Sequence, residues 1–140
     1  MRVVSFLTGL AMSTLVSFGG GTTYIHNDYG GEVSEYTAKY TQHIFTNQNF
    51  HVSGVCASAC TLVLMFEKER VCTTEDAEWW FHGPSVNGRP SEEATYLFSI
   101  MYPENVKTWF NKYAAHLSGS RNYAVLKGSQ LIRMGWASRC

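Results

Sequence analysis

The sequence is poor in charged residues and has no excess of either sign. Charged side chains make up 16% of the chain, with Lys+Arg and Asp+Glu equal at 11 each, whereas about 25% is usual for a soluble domain. Proteins that neutralise phosphate backbones usually carry a basic excess or a basic stripe. Neither is present, so we do not expect a nucleic acid as the main partner.

The sequence also lacks internal repeats, low-complexity tracts and a proline-rich linker, and it contains only 3 prolines. We therefore find no internal domain boundary. A length of 140 residues with 45% apolar side chains suits one globular domain. No G-x-x-x-x-G-K-[ST] motif occurs, so the chain carries no P-loop for a nucleotide. We expect no cofactor and no metal.

The N-terminal segment lacks charge over a stretch that is short for a membrane span. Arg2 precedes sixteen uncharged residues, 3–18, whereas a spanning helix needs about 20. One positive residue, an apolar run and then small residues are typical of a secretory signal, here with cleavage after Gly19. An uncleaved membrane anchor and a first buried element of the domain are the alternatives.

We therefore divide the chain into a signal peptide or membrane anchor, 1–19, and a domain, 20–140. The protein would then be exported, periplasmic or secreted, and would meet a membrane only through residues 3–18 if the leader is uncleaved. It would be cytoplasmic if the leader is a core element. Four cysteines are compatible with disulfides in an exported chain. Three full pairings exist, and buried free thiols are the alternative. A zinc site is weakly supported, because the second paired element is missing.

Short β-branched or aromatic runs alternate with segments of helical periodicity. This alternation indicates an α/β fold with a mostly parallel sheet. The segment 57–67 has small residues followed by an apolar run, for which we expect a buried helix, with a buried strand as the competing interpretation. The predicted strands are 22–25, 50–53, 70–72 and 77–82, the other predicted helices are 32–45, 92–101, 103–117 and 123–134, and the loops are 85–90 and 118–121.

Three short motifs follow one another along the chain: a glycine pair, an A-S-A turn and F-H-G. A serine at a strand-to-helix turn lies beside free N–H groups and the positive end of the helix, which favour a developing oxyanion. Histidine is the usual base for a serine hydroxyl. Alone, each motif is more typical of close packing or of a surface histidine. The motifs are Gly30-Gly31, 54–60 (GVCASAC) and 81–83 (FHG).

In this order, and with 24 residues from Ser58 to His82, the segment 24–82 resembles the ClpP/crotonase superfamily. The likeness is to its ClpP-like serine peptidase branch, which has a Gly-Gly turn, a G-x-x-A-S-x-A/G segment and then a histidine. The C-A-S-A-C and F-H-G variants are similar to small exported bacterial relatives. The segment 131–137 (LIRMGWA) resembles the family's closing segment. The resemblance implies a spiral of β-β-α units, truncated at its N-terminus if 1–19 is removed.

The resemblance also implies roles for individual residues. Ser58 would be the nucleophile and His82 the general base, while the backbone N–H groups of Gly31 and Ala59 would form the oxyanion hole. It further implies a peptide or protein substrate and a homo-oligomer. An ATPase partner is doubtful, because an exported protein has no ATP supply.

The sequence departs from the family at the third member of the triad. The family has an aspartate before its last helix, but no carboxylate occurs from 119 to 140, and the alignment reaches Asn122. An asparagine there would accept the His82 N–H, yet it would stabilise an imidazolium less well than a carboxylate. We therefore expect a serine endopeptidase of uncertain strength, with an inactive ClpP-like binding module as the alternative. A crotonase-like enzyme acting on acyl thioesters is a third candidate, because it needs the oxyanion hole but no Ser-His pair.

Two cysteines flank the nucleophile candidate. Cys56 and Cys60 lie two residues before and after Ser58, and Cys72 falls on the strand that is expected next. We expect a bridge from Cys72 to Cys60 or to Cys56, which would fix the Ser58 helix to the sheet.

Overall fold

A mixed, curled and mostly parallel β-sheet organises the chain, whose residues 20–140 the computed structural model describes. The α/β fold class is thereby confirmed. Within residues 20–140 the main sheet has six strands: β1 Thr22–Asp28, β2 Asn49–Ala57, β3 Val71–Thr73, β4 Glu78–Phe81, β7 Ala124–Lys127 and β8 Ser138–Arg139, while β5 Ser85–Val86 and β6 Arg89–Pro90 form a separate small hairpin. The main sheet runs in the order β7-β4-β2-β3-β8, and β1 also pairs with β2.

Strand β2 is the centre of the sheet, because its neighbours change along its length. β1 runs parallel to it on one side, starting with the pair Thr22 and Asn49. On the other side, β3 pairs with residues 50–52 and β4 takes over at residues 55–57. β2 therefore projects its C-terminal end between β1 and β4, where the next residue is Ser58.

In the described part of the chain, residues 20–140, four α-helices and one 3₁₀ helix cover the sheet. The helix expected over 57–67 is confirmed, and it is of the tighter 3₁₀ type. Its residues from Ala59 to Leu64 are all buried, which explains why the sequence there shows no amphipathic pattern. The helices are α1 Val33–Thr41, the 3₁₀ helix Ser58–Met65 (the Ser58 helix below), α2 Glu92–Ser99, α3 Glu104–Tyr113 and α4 Gly128–Met134.

The core beneath the helices is rich in aromatic rings. Phe110 of α3 and Phe98 of α2 pack with their ring centroids 5.7 Å apart, and both side chains are buried. Phe81 at the end of β4 contacts Trp109 at 5.2 Å. Val106 and Phe110 are the buried residues of α3, so the face that carries them lies against the core. Packing of this kind fixes the position of β4, whose last residue precedes His82.

The segment 123–134, predicted as one helix, is instead a strand followed by a helix. Residues 124–127 form β7, which pairs antiparallel with β4, and α4 begins at Gly128. Gly128 is buried with the Thr74 carbonyl so close that a Cβ would collide with it. The β4 edge requires a partner, and this need outweighs the helical periodicity of the sequence. The predicted loop 85–90 also contains the β5–β6 hairpin.

The cysteines form two disulfides, Cys56–Cys60 and Cys72–Cys140. The prediction of disulfides is confirmed, but the expected bridge from Cys72 to Cys56 or Cys60 is wrong. Cys72 pairs in register with residue 51 near the start of β2 and with Ser138 of β8, which leads directly to Cys140. Cys56 lies beyond the part of β2 that β3 reaches. No thiolate is free to bind zinc, since all four cysteines are oxidised.

The leader predicted for residues 1–19 lies outside the described residues. Within 20–140, no helix combines the length and apolarity that crossing a bilayer requires.

Candidate active site

Ser58 lies where β2 turns into the Ser58 helix. Ala57 has extended dihedrals of φ −117° and ψ 147°, and Ser58 then adopts φ +54°. This left-handed conformation is unfavourable for a residue with a Cβ, and it makes the chain turn sharply. The Ser58 side chain is half-buried and lines a groove. The turn thus presents the hydroxyl at the end of the central strand.

His82 reaches the same point from the neighbouring strand. β4 pairs parallel with β2, with Ala57 beside Trp80, so the residues that follow both strands lie at one edge of the sheet. The His82 Nε2 atom is 2.7 Å from the Ser58 Oγ atom. This is the distance of a direct hydrogen bond between a base and a nucleophile. The two residues that the sequence motifs indicated as a pair therefore lie together.

The other ring nitrogen of His82 fixes the tautomer. Its Nδ1 atom lies 3.1 Å from the Gly119 carbonyl oxygen. A carbonyl oxygen only accepts hydrogen bonds, so the proton of a neutral imidazole is on Nδ1. Nε2 then has a free lone pair, and the Ser58 hydroxyl donates to it. This is the protonation state that a general base requires.

Asn122 belongs to the same loop but its side chain points elsewhere. Its Nδ2 atom donates to the Ser118 carbonyl at 2.9 Å. The structure thus gives the His82 Nδ1 atom a main-chain carbonyl as its partner, while Asn122 bridges the loop that carries this carbonyl.

Tyr123 stacks on the imidazole of His82. The centroids of the two rings are 4.3 Å apart, and their planes make an angle of 26°.

Burial sets the basicity of His82. Loss of hydration lowers the pKa of the imidazole below its ordinary value of 6.5, and the main chains of Gly119 and Asn122 oppose this effect. A charged imidazolium is disfavoured in a partly dry environment. His82 is therefore neutral, and able to accept a proton, at neutral pH.

The glycine pair lies directly over Ser58. Gly30 has φ +83°, and a Cβ there would be 2.9 Å from the Ser58 Cβ and 2.7 Å from the Ala57 carbonyl oxygen. Only glycine fits this approach without displacing the backbone. Asp28 holds the turn, since its Oδ1 atom accepts from the Gly30 N–H at 2.9 Å and from the Tyr36 hydroxyl at 2.6 Å.

Two backbone N–H groups remain available beside Ser58. Ala59 is in the first turn of the Ser58 helix, where N–H groups have no acceptor within the helix. Gly31 follows Gly30 at the groove, and within residues 20–140 no atom accepts its N–H. The Ala59 nitrogen is 3.2 Å from the position of a Cβ on Gly30. The two predicted oxyanion-hole segments are thus neighbours.

A groove of about 850 Å³ runs past the Ser58 and His82 side chains. Its walls are mainly apolar, and Glu32 is its one carboxylate within the described range 20–140. A space of this size is typical of a ligand site. The apolar side chains along it are Val33, Pro84, Val86, Ala94, Leu97, Phe98, Met101 and Tyr123.

Three residues of the site were not predicted from the sequence motifs: Gly119, Tyr123 and Asp28. Gly119 acts through its main-chain carbonyl, which every residue type has, so the sequence carries no signal for its role. The helical periodicity of 123–134 conceals the position of Tyr123, which immediately precedes β7. Asp28 precedes a glycine pair by two residues, and this spacing, typical of an Asx turn, is a signal that the sequence does contain.

The site offers no set of metal ligands. Within residues 20–140, one group of three metal-binding side chains comes together, His51 with Cys72 and Cys140, and its two sulfurs form a disulfide. No protein-family model matches the chain, and neither does any curated protein.

Proposed function

We propose that the protein is a ClpP-like serine hydrolase that cleaves peptide bonds with a Ser58–His82 pair and a backbone oxyanion hole. The observation that carries the proposal is the 2.7 Å contact between His82 Nε2 and Ser58 Oγ, combined with a tautomer that leaves Nε2 unprotonated. A serine bonded to a neutral, oriented histidine is the standard arrangement for nucleophilic attack on a carbonyl.

In the acylation step, Ser58 Oγ forms a bond to the carbonyl carbon of the substrate as its proton moves to His82 Nε2. The resulting imidazolium keeps its Nδ1–H bond to the Gly119 carbonyl. The carbonyl oxygen of the substrate becomes an oxyanion, which the N–H groups of Gly31 and Ala59 would stabilise. His82 then returns the proton to the leaving amine, and the C–N bond breaks. Water deacylates the serine by the same route.

The same proposal includes a ClpP-like spiral fold and export. The spiral is supported by the order of the elements: β1, a glycine turn, α1, β2 ending at Ser58, and β4 ending at His82. Export is supported by two formed disulfides, which persist in oxidising compartments. Assembly into a homo-oligomer belongs to the proposal through the family resemblance.

A non-catalytic peptide-binding module is the second candidate, and one observation favours it. The Nδ1 atom of His82 contacts a neutral carbonyl, and among residues 20–140 no carboxylate is hydrogen-bonded to it. In serine proteases a carboxylate at this position stabilises the imidazolium that forms, and a neutral carbonyl does so less. A module of this kind would bind peptides in the apolar groove without cleaving them.

An acyl-thioester enzyme of the crotonase type is less well supported. Such chemistry needs the oxyanion hole alone, and it would not use the hydrogen bond between Ser58 and His82. A panel of substrates separates these classes: peptides, simple esters and acyl thioesters.

The first test is covalent labelling of the purified, oxidised protein with a fluorophosphonate probe. We expect wild type to be labelled, and the variants Ser58→Ala and His82→Ala to lose labelling. Ser85→Ala is a matched control, because Ser85 lines the same groove but its side chain has no hydrogen bond to His82 within residues 20–140. A folded wild type that does not react would contradict the hydrolase proposal and favour the binding module.

A further inference from the structure

The Cys56–Cys60 disulfide encloses the nucleophile. Cys56 is the second-last residue of β2, and Cys60 is the third residue of the Ser58 helix. The bridge therefore joins the strand and the helix across the turn that contains Ser58. Both cysteines have 0% exposed surface. The covalent link thus belongs to the interior wall of the site.

The enclosed turn has an unfavourable backbone conformation. Among residues 20–140, three non-glycine residues have positive φ: Asn27, Ser58 and Asn87. Asparagine tolerates the left-handed region, but serine seldom adopts it. Such a residue keeps this conformation only when its surroundings over-determine it. Ser58 is therefore the one of the three that requires an external restraint.

The usual restraint at a helix start is missing here. The Ser58 helix follows Ala57, which cannot supply a capping side chain, and no side-chain cap is formed. Two other contacts hold the far side of the turn: the Tyr40 hydroxyl donates to the Cys60 carbonyl at 3.0 Å, and Thr61 Oγ1 donates to the Ser58 carbonyl at 2.6 Å. The disulfide is the one covalent link across the turn itself.

The two disulfides differ in what they can do for the fold. Cys56 and Cys60 are 4 residues apart, whereas Cys72 and Cys140 are 68 residues apart. In the chain-entropy model, a bridge across a long loop constrains the unfolded chain more than one across a short loop. The long bridge is thus the stronger contributor to global stability, and the short one is better suited to a local task.

We propose that the Cys56–Cys60 disulfide is a positioning device that holds Ser58 in its left-handed conformation and its hydroxyl against His82. The inference rests on the proposed function, because it assigns a purpose to the geometry of that serine. Without the bridge, the Ser58 backbone relaxes toward the ordinary helical region. The Oγ–Nε2 contact then becomes one of several populated arrangements, and the serine reacts more slowly.

The test compares two double variants for fluorophosphonate labelling rate and melting temperature. We expect Cys56→Ala/Cys60→Ala to lower the labelling rate at least tenfold, with a smaller loss of melting temperature than in the control variant. We expect the control Cys72→Ala/Cys140→Ala to give the reverse: a larger loss of melting temperature and a rate within threefold of wild type. If the Cys56–Cys60 disulfide had a purely structural role, the labelling rate would decrease in proportion to the melting temperature in both double variants. Rates that follow stability, or an unchanged rate in the first variant, would overturn the inference.

A second variant guards against misfolding, since both cysteines are buried. Cys56→Val/Cys60→Ala restores volume at the strand position with a β-branched residue, and the same loss of rate is expected. A crystal structure of either folded variant gives a readout independent of activity. Ser58 outside the left-handed region, with its hydroxyl away from His82, supports the inference, and an unchanged turn overturns it. If wild type itself does not label, the hydrolase proposal fails, but this structural comparison still tests the positioning role.

Discussion

The Nδ1 atom of His82 lies 3.1 Å from the carbonyl oxygen of Gly119, in the place where a complete serine triad has a carboxylate. The carbonyl orients the ring and fixes the tautomer as a carboxylate does. It carries no full negative charge, so it stabilises the imidazolium less in the transition state. Under the proposed function, the Gly119 carbonyl therefore supplies the orienting role of a third triad residue and little of its electrostatic role. We expect serine-dependent chemistry that is slow relative to a complete triad.

The pH dependence of labelling should report the basicity of His82. Desolvation lowers the pKa of His82 below 6.5, and only the neutral ring accepts the Ser58 proton. The labelling rate should therefore fall as the pH decreases and reach half of its plateau at a pH below 6.5. Labelling of the folded protein, corrected for probe hydrolysis, measures this midpoint. A midpoint above 6.5 would contradict desolvation as the dominant influence on the ring.

The same shift has a consequence for stability. Because the pKa of His82 is lower in the folded protein than in the unfolded chain, the unfolded chain binds more protons between the two values. The free energy of unfolding therefore rises with pH across this window. The stability that the folded protein has with a neutral His82 is lost as the pH falls from 6.5 through the pKa of His82 in the folded protein. His82→Ala should show a flatter pH dependence in denaturant titrations.

Gly30 should be intolerant of a side chain because of its contact with the nucleophile. Gly30→Ala would set a Cβ 2.9 Å from the Ser58 Cβ and 2.7 Å from the Ala57 carbonyl, and we expect the labelling rate to fall more than tenfold. Gly88→Ala is the matched control. Gly88 has a similar φ of +75° but no heavy atom within 4 Å of the place where a Cβ would lie, so it reproduces the backbone cost of roughly 1 kcal/mol without the collision. Equal labelling rates in the two variants would contradict the close approach.

Tyr123 should support His82 through its ring and not through its hydroxyl. It stacks on the imidazole with ring centroids 4.3 Å apart, and it contacts Trp80 in a tilted arrangement with centroids 5.4 Å apart. We expect Tyr123→Phe to keep the labelling rate within about twofold, whereas Tyr123→Ala should lower it several-fold and raise the pKa of His82 by admitting water. The pH midpoint of labelling distinguishes this role from a loss of stability alone. A hydroxyl-dependent role would appear as a defect in Tyr123→Phe.

The Ser58 and His82 side chains were predictable, whereas most groups that orient them were not. Ser58 and His82 stand in short motifs whose order and spacing indicated a pair. The Gly119 carbonyl had no such signal, because any residue supplies a carbonyl. The strand β7 was missed since its pairing with β4 is a long-range contact that outweighs local periodicity. The disulfide pairing required the register of β3 against β2 and β8, which no sequence spacing contains.

The two disulfides should differ in their response to a reductant. Cys140 is exposed and Cys72 is half-buried, whereas Cys56 and Cys60 have no exposed surface. Mild dithiothreitol under native conditions should therefore open the long bridge first, supplying two electrons to give two thiols that iodoacetamide alkylates. Peptide mass spectrometry should find the label on Cys72 and Cys140, and on all four cysteines only after denaturation.

That partial reduction should separate stability from reactivity within one sample. The chain-entropy model gives roughly 4 kcal/mol for the 68-residue separation and roughly 2 kcal/mol for the 4-residue separation, so opening the long bridge should lower the melting temperature markedly. The strand-to-helix turn keeps its own bridge, and labelling of Ser58 below the new melting temperature should stay within about threefold of the oxidised protein. Alkylation at Cys56 or Cys60 before Cys72 would contradict the burial of the short bridge.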